Sequence, residues 1–214
     1  MARKIVAING TIGSGKDTFS EEFIQAGWHR MSFASTLKDA VAVIFGWDRE
    51  MLEGNTKEAR VIRETRDEYW SVKLGREVTP RWVLQNFGTD VVRTHFHDNT
   101  WVFSLENQMR KIEGNIIITD CRFPNEIQML QENDAVLIEV QRNTPEWYGK
   151  AYAYNSIIDS GASAEIPSVL QDIHRSEWAW IGRNKNRILV ENSGTIEELH
   201  KQASWIRHGI EDSK

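Results

Sequence analysis

The chain has 214 residues, a length that suits one globular domain with a sizeable insertion. Hydrophobic residues make up 40% and charged residues 27%, enough apolar material for a core and too much for wholesale disorder. The net charge of −5 speaks against general nucleic-acid binding, and a single cysteine, Cys121, excludes an intrachain disulfide.

In chain order, the first predicted element is a buried strand over residues 4–9, preceded by the basic stretch Met1-Ala2-Arg3-Lys4. Its apolar run is too short for a signal-peptide core, and no later run approaches the roughly 18–20 residues that span a bilayer. The chain therefore reads as soluble and cytoplasmic, without nucleic-acid or membrane partners. Helical patterns follow over residues 18–25 and 34–45, the latter with Leu37, Val41 and Ile44 on one face. A helix over 80–95 opens on Thr79-Pro80, a helix-start pair. Strands are predicted at 115–119, 135–140 and 187–191, with helices over 126–131 and 195–207. Near-continuous apolar strands alternating with helices predict an α/β protein with a parallel sheet.

Two segments break the alternation. Residues 47–76 hold seven basic side chains among seven acidic ones. Residues 142–186 separate two strands and are rich in Tyr, Trp, Ser and Gly. Long inserted segments of this kind are usually either functional lids or disordered, and the aromatic residues of the second favour an ordered covering element.

Gly10-Thr11-Ile12-Gly13-Ser14-Gly15-Lys16 follows the first strand and opens a helix, with the spacing G-x-x-x-x-G-K. Glycines let a backbone curl so that its N–H groups face phosphate oxygens, and the positive end of the next helix adds to the attraction. Lys16 supplies a mobile charge for β- and γ-phosphates. The usual Ser or Thr after the lysine is replaced by Asp17, with Thr18 one place on. Asp17 is expected near a magnesium ion, through water. The strand at 115–119 delivers Asp120 and then Arg122 to the sheet end where ligands of open parallel sheets sit. Asp120 could hold magnesium water or orient a phosphate-binding arginine. The alternative is structural: Asn125 or Asp120 capping the next helix, and Arg122 paired with Glu126. Cys121, without a basic activator, reads as a small buried residue.

Taken together, these blocks resemble the bacteriophage-type deoxynucleoside monophosphate kinases among the P-loop kinases. The resemblance rests on Gly13-Ser14-Gly15-Lys16-Asp17-Thr18, Leu37-Lys38-Asp39-Ala40, the block from Pro80 to Asp90, Asp98-Asn99-Thr100-Trp101, Asp120-Cys121-Arg122, His174-Arg175-Ser176-Glu177 and the block from Val190 to Leu199. It implies one P-loop kinase domain: a core of residues 1–46, 77–141 and 187–214, an acceptor-binding helical insertion at about 47–76 and a lid at about 142–186. It implies transfer of the γ-phosphoryl group of ATP, with Mg2+, to a deoxynucleoside monophosphate. The protein would be a monomer or homodimer, and would work in the host cytoplasm if of phage origin.

Catalysis is expected from Lys16, Asp120, Arg122 and Arg142, and ATP binding from Gly10, Gly13, Ser14, Gly15, Lys16, Asp17 and Thr18. Metal contact is expected from Asp17 and Asp120, through water. The resemblance puts Lys38, Arg81, Gln85, Asp90, His174 and Glu177 on the substrate side. Arg63, with Arg60 and Arg66, recurs every three residues and could clamp an acceptor phosphate, or could belong to a solvated, salt-bridged helix. The alternatives are a phosphomevalonate- or dephospho-coenzyme A-type kinase, a regulatory ATPase, or a polynucleotide end kinase needing a basic groove.

Overall fold

The computed structural model describes residues 3–213. Residues 1, 2 and 214, assigned above to the core, lie outside the described residues. The chain divides into two compact units. One takes the chain up to Ser32 and again from Met109 onward, and the other takes Phe33–Gln108.

The first unit is built on five parallel strands: β1 (Ile5–Asn9), β2 (His29–Met31), β3 (Ile116–Ile118), β4 (Val136–Gln141) and β5 (Ile188–Glu191). Their order is β2-β3-β1-β4-β5. β1 is central, pairing Ile5 with Ile116 on one side and Val6 with Val136 on the other. All five residues of β1 and all three of β3 are buried, as a strand covered on both faces requires. Helices α1 (Lys16–Gln25) and α11 (Ile196–Asp212) supply part of that cover. Phe19 and Phe23 of α1 and Leu199, Ala203, Ile206 and Ile210 of α11 join Val6, Ile8, Ile138 and Val140 in one core cluster. Each fully buried large side chain there contributes about 1.5–3 kcal/mol. α11 starts on a capping box in which Thr195 and Glu198 satisfy each other's backbone donors.

The sequence reading missed β2. Its three residues, His29-Arg30-Met31, form an edge strand with no buried member and so leave no apolar run to read. Two helices run further than expected: α8 (Pro124–Glu132) on the first unit, and α11, which extends to Asp212.

Between β4 and β5 lie α9 (Tyr148–Asp159), α10 (Ser168–Gln171) and a 3-10 turn at Arg175–Glu177. This segment is fastened to the sheet by a buried carboxylate. Glu139 of β4 pairs with Arg187 and accepts from the Tyr148 hydroxyl and, at 2.5 Å, from Gln141 Nε2. A buried charge needs such a full set of partners. Burial, and then the bond to Glu139, push the Tyr148 phenol well above its ordinary value.

The second unit is helical: α2 (Ser35–Phe45), α3 (Arg49–Glu53), α4 (Lys57–Glu64), α5 (Glu68–Leu74), α6 (Pro80–Gln85), a π-helix (Asn86–Phe96) and α7, which starts at Thr100. Leu37, Val41, Leu52, Val78, Val83, Leu84 and Trp101 form its core. Ile44, expected beside Leu37 and Val41, is instead 52% exposed. It follows Val41 by three residues, and the apolar stripe of the short helix turns away from the core before reaching it.

The helix predicted over 80–95 starts as expected. Thr79 Oγ1 accepts from Trp82 N at 3.1 Å, and Pro80 occupies the first turn. Past Gln85, however, it widens into a π-helix of eleven residues. There Gly88 lies so close to Leu37 that a Cβ would stand 2.6 Å from Leu37 Cδ2, and its carbonyl accepts from Trp101 Nε1 at 2.8 Å. That bond ties the π-helix to α7 at Gly88.

Candidate active site

The loop between β1 and α1 has the geometry of an anion cradle. Ser14 N donates to Thr11 O at 3.1 Å and closes the turn. Gly15, with φ 94°, stands at the N-cap of α1 and brings no side chain to cap it, so the first helical N–H groups are left for a ligand. The Ser14 hydroxyl is fully buried with no hydrogen-bond partner. Gly10 is required by space, because a Cβ there would lie 2.6 Å from the carbonyl of Val140. Gly15 is required twice over, by its left-handed backbone and by the Asn192 amide pressed against it.

Asn192, just past β5, braces the cradle from outside. Its Nδ2 donates to Ser14 O at 2.9 Å and its backbone N to Gln141 O at 2.8 Å. The same stretch opens a cleft of about 430 Å3, lined by Asn192, Ser193, Gly194, Thr195, Lys201 and Gln202 among others. On the other side of β1, Asn9 Nδ2 donates to Cys121 O at 2.6 Å, fixing the strand end to the loop after β3.

That loop carries the second constellation. Ser32 Oγ donates to Asp120 Oδ2 at 2.6 Å. The buried Glu126 carboxylate accepts from the backbone N of Arg122 at 2.6 Å and of Phe123 at 3.0 Å. It therefore holds the Arg122 backbone, while the Arg122 guanidinium pairs with Glu177. The side-chain pair of the structural alternative, Arg122 with Glu126, is thus replaced. Helix capping at this point falls to Glu126 reaching back, with Asn125 Oδ1 accepting from Glu126 N at 3.1 Å. Cys121 is buried; burial, and then the nearby Glu126 charge, push its thiol well up, so it stays protonated.

Lys16 lies amid these groups. Desolvation lowers its pKa, and the Arg122 charge lowers it further; Asp17, Glu177 and Asp120 pull the other way. Five of the sequence-nominated residues thus share one electrostatic neighbourhood: Lys16, Asp17, Asp120, Arg122 and Glu177. Asp17 is largely exposed and lies 3.7 Å from Arg30 of β2. His174 stands at the start of the turn that carries Glu177, its Nδ1 2.8 Å from the Ser176 hydroxyl. Arg142 is exposed immediately after β4, where Asn143 turns the chain with φ 46°. Thr18 is half-buried in the first turn of α1.

No group of three or more His, Cys, Asp or Glu side chains able to hold a metal occurs among the described residues. A cation here would rest on one or two carboxylates, with Asp17 and Asp120 at hand, and on phosphate oxygens; magnesium beside nucleotides is held this way.

The remaining nominated residues belong to the helical unit. Lys38 Nζ donates to Glu53 Oε2 at 2.6 Å, and Arg63 Nη1 to the Glu53 carbonyl at 3.2 Å. Arg60 donates to Gly54 O at 3.0 Å, and Arg66 pairs with Glu68 at 3.2 Å. Arg81 pairs with Glu64. Gln85 ends α6, and Asp90 accepts from Asn86 Nδ2 at 3.3 Å in the π-helix.

Sequence reasoning did not nominate Asn9, Arg30, Ser32, Glu126 or Asn192. Asn192 stood inside a quoted block, and a polar residue just past a strand was the available signal; Glu126 was named only as a partner for Arg122. Arg30 sits on the strand that went unread.

A parallel sheet ordered 2-3-1-4-5, a glycine-rich cradle after its central strand and a lysine–arginine pair beside that cradle define a P-loop kinase fold. Comparison with known proteins narrows this. The family model for deoxynucleotide monophosphate kinases matches residues 49–150. A protein of Acanthamoeba polyphaga mimivirus named as a deoxynucleotide monophosphate kinase is 27% identical over 213 residues, covering 92% of this chain and 93% of its own. The deoxynucleoside-5'-monophosphate kinase of Escherichia phage T5 is 25% identical over 194 residues, 64% of this chain and 77% of that one. Among solved structures, a Thermus thermophilus protein aligns over both whole chains at 18% identity with a TM-score of 0.49. A dephospho-CoA kinase from Campylobacter jejuni aligns over 97% of each chain at 15% identity with a TM-score of 0.44. The resemblance read from the sequence, to the deoxynucleotide monophosphate kinases, is upheld by the family model and by both viral relatives.

Proposed function

We infer that the protein transfers the γ-phosphoryl group of ATP to a deoxynucleoside monophosphate, giving the diphosphate. The observation that carries the reading is the half-buried Lys16 at the end of the cradle, within electrostatic reach of Arg122, Asp17, Asp120 and Glu177. The names of both viral relatives support the acceptor class.

In this mechanism the loop from Gly10 to Thr18 takes the triphosphate. The backbone N–H groups at Gly13 and Gly15 and at the start of α1 donate to its oxygens. The nucleoside part extends into the cleft beside Asn192. Lys16 spans the β- and γ-phosphates. Arg122 and Arg142 neutralise the charge spread over the phosphoryl group in flight, which is the main demand of a loose transition state. Asp17 and Asp120 would hold magnesium through water, and the ion would neutralise charge on the β- and γ-oxygens. The acceptor phosphate is already ionised, so no strong general base is needed.

We assign the acceptor side to Lys38, Arg63, Arg81, Gln85 and Asp90 of the helical unit, with His174 and Glu177 on the segment between β4 and β5. That segment, about 142–186, is the lid of this reading, and about 47–76 is the acceptor-binding insertion.

A screen of the purified protein with MgATP against deoxynucleoside monophosphates, dephospho-coenzyme A and phosphomevalonate, read as ADP release, tests the assignment. Turnover confined to the monophosphates is expected. ATP binding without acceptor-dependent turnover would favour a regulatory ATPase, and turnover with another acceptor would reassign the enzyme.

A further inference from the structure

Glu177 stands at an unusual place for a substrate-side carboxylate. Its side chain, 14% exposed, is paired with the guanidinium that the mechanism aims at the transferring phosphate. The turn that carries it is not free to drift. Trp180 Nε1 donates to the Glu177 carbonyl at 3.0 Å, and Trp178 Nε1 to Ile173 O at 3.0 Å. Both rings are buried, and the buried Asn155 of α9 donates to the carbonyls of Trp178 and Ile181, each at 2.9 Å. The backbone of Glu177 is thereby built into a packed block, and its carboxylate is held against Arg122 from a fixed base.

Two consequences follow from elementary chemistry. A guanidinium is a rigid planar fork of five donors, so committing Nη1 to a fixed carboxylate sets the plane in which the others lie. A negative charge beside two cations also offsets part of their pull on a phosphate anion. Glu177 acts on Lys16 as well as on Arg122, raising the lysine's pKa against the burial and the arginine charge that lower it.

We propose that Glu177 is a positioning residue with a second, opposing role: its carboxylate fixes the plane of Arg122 for the phosphoryl group in flight, and by offsetting charge it loosens ground-state capture of the triphosphate. The inference rests on the phosphoryl-transfer reading above. It predicts an uncommon signature, a variant that binds nucleotide better and works worse. Stabilisation reserved for the transition state raises kcat, whereas added ground-state grip does not.

The test uses the full-length protein and the variants E177Q and E177D. MgATP and inorganic tripolyphosphate affinities are measured by calorimetry, acceptor-dependent kcat with a deoxynucleoside monophosphate, and folding by thermal melt. E177Q keeps the shape and loses the charge. It is expected to bind both anions about three-fold more tightly, the scale of one exposed-to-half-buried ion pair. Its kcat should fall by about ten-fold or more, the scale of a misplaced donor. E177D keeps the charge with a shorter reach, so its affinity should equal the wild type's and its kcat should fall less than that of E177Q. Unchanged kcat in E177Q, or affinity and kcat falling together, would overturn the proposal. Should E177Q fail to fold, E177D carries the split alone: kcat lowered at constant affinity supports the proposal, and parallel loss of both overturns it. If the wild-type protein itself neither binds MgATP nor turns over, it is the kinase reading that fails. If it does both and the variants match it, only the role of Glu177 falls.

Discussion

Lys16 occupies the first position of α1, desolvated and facing a second cation, so its proton is held less firmly than that of an ordinary lysine. A bound triphosphate returns the missing negative charge and raises the pKa again. The sign follows: below the lowered value Lys16 is charged in both states and binding exchanges no proton there. Above it, binding draws a proton in, and affinity falls as pH rises. Calorimetry at alkaline pH in buffers of different ionisation enthalpy is expected to show proton uptake on MgATP binding. K16M should abolish that uptake and cut turnover by about 10²-fold or more.

Gly15 makes a second residue-scale prediction. G15A must place a methyl group against the Asn192 amide and 3.2 Å from Leu199 Cδ2, on a left-handed backbone. The conformational part alone costs about 1–2 kcal/mol. The cradle should give way first, seen as MgATP affinity lost out of proportion to the drop in melting temperature. The cradle and its lysine were fully legible in the sequence, because strand, glycine spacing and helix are local features. The brace was not. Asn192 reaches Ser14 across 178 positions, a contact that no local pattern encodes.

At the scale of the element, the π-helix shows where periodicity misleads. From Pro80 onward the apolar spacing fits one continuous helix, and the sequence distinguishes poorly between turns of different width. The π-helix carries a tertiary bond that the spacing does not reveal, Trp101 Nε1 to Gly88 O. Long π-helical stretches are rare and tend to mark functional sites. This one runs on directly from Gln85 and contains Asp90, both assigned to the acceptor. W101F removes that donor while keeping an aromatic ring in place, at a cost of about 0.5–1.5 kcal/mol for the lost hydrogen bond. The acceptor KM should rise several-fold while the KM for MgATP holds, since the cradle lies in the other unit. A parallel rise in both constants would detach the π-helix from acceptor binding. β2 marks the opposite failure of sequence reading, a strand too short and too exposed to carry a pattern.

At the scale of the whole molecule, the two units answer to different physics. The sheet unit is held by a contiguous apolar core, whereas the helical unit adds a charged knot to its own core. Glu53 there accepts from Lys38 and Arg49, and Arg49 also reaches Asp39 at 2.6 Å. Burial alone would raise the Glu53 pKa; the bonds to Lys38 and Arg49 outweigh it and hold the value below that of a free glutamate. A carboxylate lowered on folding adds stability that is complete above its unfolded value of about 4.3 and fades as pH falls through the folded one. E53Q should therefore lose about 2 kcal/mol near neutrality, the scale of hydrogen bonds to charged groups, and that deficit should shrink in acid. Thermal melts from pH 7 to pH 3 check both halves.

The central place of β1 has a consequence for biosynthesis. It leaves the ribosome before the strands that flank it, which begin at Ile116 and Val136. A nascent or proteolysed chain lacking Val136 presents one raw side of a ribbon that is apolar from Ile5 to Ile8, a template for intermolecular pairing. Capture of nucleotide therefore waits until both flanking strands and Asn192, which braces the cradle, have been made, and shortened fragments should accumulate in inclusion bodies instead of persisting as partly competent enzyme.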